Sequence, residues 1–176
     1  MVVAAGLLVW SVVAMVSAGG DVDSAGQAVA TANERLADLR EDDSVKVRTA
    51  RDEALAAGRD GAVTMNTLDY REIDADLDEW ARITTGDLHD QVVNGREQSR
   101  KAVTDAKSVT KATAMSSAVA EVDEQAGTAT VLVAVKVTVS VGDAAPADRF
   151  LRLTSTLVRT DQGWRLAGIG QVPVQQ

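Results

Sequence analysis

Cysteine is absent from all 176 residues. That excludes disulfides, thiol catalysis, zinc ribbons and a lipidated N-terminal cysteine. Aromatic residues make up only 3%, so alanine and valine supply most of the 45% hydrophobic content. A core of that composition works through close backbone approach and β-branched packing more than through large rings. Histidine occurs once, as His89, which rules out a two-histidine metal site. Its neighbours Asp87 and Asp90 do not complete a zinc site, and His89 reads as a solvated helix residue. Basic residues form no block, and the net charge is −8 with a pI near 4.6. Such a surface repels phosphate backbones and anionic headgroups, which argues against a nucleic-acid partner.

The first twenty residues are of a different kind. Val2 to Gly19 carries no charged side chain and includes Leu7, Leu8, Val9, Trp10, Val12, Val13, Met15 and Val16. As a helix it would run roughly 27 Å, close to the hydrocarbon thickness of a bilayer. The reading is a transmembrane signal anchor over 1–20. A cleaved signal peptide competes with it, because Val16-Ser17-Ala18 resembles a small-residue cleavage site, and a buried core helix is the third reading. No Lys or Arg precedes the segment, so an inside N-terminus is inferred from the polar chain that follows. The expected location is the cell membrane, single-pass, with the C-terminal domain extracytoplasmic.

Roughly 150 residues remain, enough for one domain with one core. Ala25, Ala28, Ala32, Leu36 and Leu39 recur at helical steps and predict a juxtamembrane stalk over 21–43, broken at Arg40-Glu-Asp-Asp43. Ser44 is a plausible N-cap for a helix over Val45–Leu68, whose stripe includes Val47, Ala50, Ala54, Ala57, Gly61 and Met65. A second helix, Glu72–Ile83, presents Ile73, Leu77, Trp80 and Ala81 on one face. Thr84-Thr85-Gly86-Asp87 then reads as a break and a new N-cap. The third helix runs to about Ala106, with Asn94-Gly95 as a point of interruption.

The character changes at Ser108. Val109–Val122 is strand-like, and Thr128–Val141 alternates valines with Leu132, Ala134, Lys136, Thr138 and Ser140. That pattern predicts a strand with a buried valine face and a mostly polar opposite face. Strands over Phe150–Arg159 and Trp164–Val172 follow, and no connection leaves room for a crossover helix. The four strands should therefore form an antiparallel meander, with helices on one face of a curved sheet in an α+β domain over 44–176.

Little in the chain carries chemistry. There is no Gly-x-Ser-x-Gly elbow, Walker loop or dinucleotide fingerprint, so no catalytic residue and no cofactor is assigned. Asp69, Asp74, Asp76, Asp78 and Glu79 surround the second helix, but their spacing scatters them, and Arg71 and Arg82 are placed to pair with some. Asp74-x-Asp76-x-Asp78 lacks the rest of a calcium loop. Tyr70, Trp80 and Trp164 read as core or groove-lining anchors.

Together, Thr67-Leu-Asp-Tyr-Arg-Glu-Ile73 through Trp80, Thr85-Gly86-Asp87, the valine-rich strand and the closing Asp161-Gln-Gly-Trp164-Arg-Leu166 resemble the actinobacterial Mce-associated membrane proteins. The resemblance spans nearly the whole chain through short motifs. It implies a nuclear transport factor 2-like, cystatin-like cone of three helices on a four-stranded sheet, in a single-pass protein encoded with mammalian-cell-entry lipid importers. It also implies a non-catalytic accessory role, with subunits of an Mce-type lipid transporter as partners and no catalytic residues. Asp69, Tyr70, Trp80, Thr85, Gly86, Asp87 and Trp164 are the fold or interaction candidates. Two alternatives stay open. One is a periplasmic-core component of a type IV secretion or conjugation system. The other is a small-ligand binder or isomerase/cyclase-like enzyme, which would need an acid/base group aimed into an apolar pocket.

Overall fold

The computed structural model describes residues 22–172. The expected membrane anchor, 1–20, lies outside them, and no helix among the described residues is long and apolar enough to cross a membrane. Those residues form four helices, α1 (Val22–Thr64), α2 (Ile73–Ile83), α3 (Gly86–Asn94) and α4 (Arg96–Asp105). They also form five strands, β1 (Leu68–Asp69), β2 (Ser108–Asp123), β3 (Thr128–Val141), β4 (Ala147–Thr160) and β5 (Gly163–Gln171). The chain divides into two compact units, Met1–Lys46 and Val47–Gln176. Within the first, the described residues are helical and their side chains mostly exposed.

The expected break at Arg40–Asp43 does not occur, because α1 runs through it. None of these four residues forbids helix, and Lys46 closes a 2.6 Å ion pair one turn back onto Asp42. Ser44 caps nothing new. Its hydroxyl donates to the Glu41 carbonyl at 2.8 Å, a bond made inside a continuing helix. The helix ends at Thr64, before the expected Leu68, and side chains take up its terminal carbonyls. Asn66 Nδ2 donates to Ala62 O (2.8 Å), Thr67 Oγ1 to Val63 O (2.9 Å) and Trp80 Nε1 to Thr64 O (2.8 Å).

Sheet order follows chain order, β1-β2-β3-β4-β5, with every adjacent pair antiparallel. The meander is as expected, but the sheet has five strands instead of four. β1 was not legible, because two residues carry no periodicity. It is held by pairing with Val109 and Thr110 and by the Leu68 N–H donating to Thr110 Oγ1 at 3.0 Å. The expected third helix is two helices divided at Gly95, whose N–H closes the last turn of α3 onto Gln91 O at 2.9 Å. On β3, Val131, Val133, Val135 and Val137 are buried, whereas Val141 is exposed. The core lies between the buried face of β2–β5 and the Ala50–Ala62 stretch of α1, where Ala54 and Ala62 meet Val131, Leu157 and Leu166 in one cluster.

Candidate functional site

Helix α1 packs on the sheet at two of its glycines. A Cβ built on Gly58 would stand 2.7 Å from Val131 Cβ, and one on Gly61 would stand 2.7 Å from Leu166 Cδ1. The helix backbone therefore rests directly on the sheet. Ser155, fully buried on β4, donates its hydroxyl to the Gly58 carbonyl at 3.2 Å. Glu53 of α1 receives a 3.0 Å bond from Arg159 of β4 at the rim. Sequence reasoning did not reach Ser155. A lone serine among alternating strand residues signals nothing until the opposite helix exposes a carbonyl.

Thr85 and Gly86 lie against the β4–β5 hairpin. Buried Thr84 forms a parallel bridge with Leu166, and the Thr85 N–H donates to Leu166 O at 2.8 Å. Thr84 Oγ1 donates back to Trp80 O at 2.8 Å, closing α2. Gly86, at φ +58°, opens α3 in the left-handed region that favours glycine. Thr85 precedes α3 with extended backbone but makes no side-chain cap bond, and Asp87 is an exposed first-turn acid. His89 is half-buried, not solvated as expected. Its Nδ1–H donates to Ala81 O at 2.9 Å.

Trp164 packs against the core, with the Arg159 guanidinium 5.4 Å above its ring. Its buried Nε1 has no hydrogen-bond partner among the described residues. It lines a cleft of about 240 Å³ with Asp60, Thr64, Glu79, Arg82 and Arg165. Trp80 lies on α2, and its indole N–H is spent on Thr64 O.

Asp69 and Tyr70 belong to a separate cluster beside the start of β2. Tyr70 N–H donates to Ser108 O at 3.1 Å, and the Arg71 guanidinium lies 5.7 Å from its ring. The Arg71 side chain grips the Asp69 carboxylate at 2.8 and 3.1 Å, and the Arg71 N–H adds a 2.9 Å bond. Those bonds lower the Asp69 pKa to about 2. Asp76 accepts from the Asp69 N–H at 2.7 Å, while Asp78 and Asp74 hold Arg96 of α4 at 2.6 and 3.3 Å. The acidic cluster is thus divided among structural bonds. Glu79, likewise, is shifted down by the Arg82 hydrogen bond. Asp69 and Glu79, held ionised in this way, serve poorly as general acids at neutral pH. Among the described residues no group of three or more His, Cys, Asp or Glu side chains could hold a metal ion.

The fold is nuclear transport factor 2-like, an α+β domain shared with periplasmic domains of type IV secretion proteins. One similar structure is an IcmL-like type IV secretion system protein from Legionella pneumophila subsp. pneumophila str. Philadelphia 1. It has a TM-score of 0.57 and 11% identity, over 72% of this chain and 94% of that one. The periplasmic domain of DotI matches with a TM-score of 0.57 and 18% identity, over 68% and 93%. CagV from Helicobacter pylori strain 26695, described as a VirB8 homolog, matches with a TM-score of 0.52 and 9% identity, over 70% and 98%. At these identities the likeness is one of fold. No curated protein matches the chain. The family described as "Uncharacterized protein Rv1363c/MT1408-like" matches residues 27–173, and the chain belongs to that family.

Proposed function

We propose that this protein is a non-catalytic accessory or scaffold component of a cell-envelope complex, tethered by its first twenty residues with its domain on the extracytoplasmic side. The observation that carries the reading is the close packing of α1 on the sheet. With Gly58 and Gly61 against Val131 and Leu166, the cleft of about 240 Å³ beside Trp164 is lined mostly by polar and charged side chains, not by the apolar walls a substrate pocket would need. What remains for function is surface, and surface serves partners. The apolar run Val2–Gly19 supports the tether.

The complex we favour is an Mce-type lipid transporter, on the motifs from Thr67 to Trp80 and from Asp161 to Leu166. A second reading, a type IV secretion or conjugation component, is supported by similar structures named for that machinery. Affinity purification of the full chain from detergent-solubilised membranes separates the two. Recovery of lipid-importer subunits supports the first, and recovery of secretion subunits supports the second. Recovery of neither, with complex levels unchanged in a deletion strain, rejects both.

A further inference from the structure

In a meander with helices on one side only, the other face of the sheet ordinarily reads polar. Here it does not. The pairing registers place Ala118, Leu132, Thr154 and Gly170 in one row across β2–β5, and Ser116, Ala134 and Arg152 in the next. Beyond these, Phe150 pairs with Lys136 and is 67% exposed, while Leu132 at the centre is 43% exposed. Ser116, Ala118, Leu132 and Ala134 line a mostly apolar trough of about 320 Å³ together with Arg152 and Val172.

Two charges flank that trough at opposite corners. Glu121 on β2 pairs with Thr130, two residues before Leu132, and Arg152 on β4 pairs with Ala134, two residues after it. Strand geometry of ~3.4 Å per residue and ~4.8 Å between strands puts each about 8 Å from Leu132 and the two about 17 Å apart. Both are exposed, and within the described residues neither side chain has an ion pair or hydrogen bond. Lys136, by contrast, is already held by Asp148 at 2.9 Å.

We infer that this face binds a second copy of the chain. Two such faces can be set together about a two-fold axis that lies between them, over Leu132 and perpendicular to the line joining the two charges. Each Arg152 then stands over Glu121 of the other copy, so two reciprocal ion pairs enclose a leucine-on-leucine centre. An isologous contact needs this self-complementarity of one patch, with opposite charges placed symmetrically about an apolar middle.

The test uses the full chain in detergent micelles, with sedimentation equilibrium over a concentration series. Wild type should dimerise reversibly. Arg152→Glu and Glu121→Arg each create like-charge contacts and should weaken the dimer about tenfold or more. An equimolar mixture of the two variants should regain wild-type affinity as a heterodimer, as should the double swap in one chain. Because the protein has no cysteine, Leu132→Cys should also give an oxidised dimer, while Ala102→Cys on α4 should not. Circular dichroism confirms that the variants fold. A wild-type chain that stays monomeric, single variants that associate like wild type, or a mixture no tighter than its components would each overturn the inference.

Discussion

Gly58 meets Val131 so closely that no side chain fits between them, and a Cβ on the glycine would stand 2.7 Å from that of the valine. Gly58→Ala gains about 1 kcal/mol of helix propensity but must push a fully buried valine off a central strand. We expect a net loss of about 1–3 kcal/mol in chemical denaturation. Gly26, on the same helix with open space around it, supplies the control. Gly26→Ala should raise helicity by circular dichroism and leave the main unfolding transition in place.

Trp80→Phe keeps the ring and deletes the bond from Nε1 to Thr64 O. A terminal helix carbonyl then loses its partner at a half-buried site. Stability should fall by about 0.5–1.5 kcal/mol, with faster amide exchange in the last turn of α1.

The Asp69–Arg71 pairing predicts an acid limb. The carboxyl has a folded pKa lowered from 3.8 to about 2, chiefly by the Arg71 side-chain hydrogen bond, so between those values the unfolded chain binds more protons. Its stabilising contribution is therefore present above about pH 4 and is lost as pH falls towards 2. Denaturation midpoints of wild type and Asp69→Asn, measured from pH 6 to 2, should converge as the solution is acidified. A gap that stays constant would contradict the assignment.

Lys107 joins α4 to β2 at φ 46°, the one non-glycine residue with positive φ among the described residues. A lysine there bears the left-handed penalty that glycine avoids. Lys107→Gly should stabilise the fold by about 0.5–1 kcal/mol, read as a higher melting temperature.

The strands were legible because their signal is local. Alternation along Val131–Val137 states which face is buried without reference to any other element, and Gly127 and Gly163 mark the hairpin turns. The α2 boundary was legible for a similar reason, since Ile73 and Leu77 repeat on one face and Thr84–Gly86 ends it. At Arg40–Asp43 a charged run looked like a break, yet charge alone does not end a helix when one-turn pairs such as Lys46–Asp42 support it. Thr85 could be named from the sequence as a residue, but not that its N–H would donate to Leu166 O of β5.

By itself, then, the sequence determined the α+β class, the meander, the valine face and the lack of cysteine and of a second histidine. Each of these depends on residue identity or on short-range period. Only the tertiary structure decided that Gly58 and Gly61 bring α1 against the sheet, that the acidic residues around α2 are held by Arg71, Arg82, Arg96 and the Asp69 N–H, and that Glu121 and Arg152 stand diagonally across Leu132. Those relationships join residues tens of positions apart. Strand register and helix docking set them, and no local pattern encodes either.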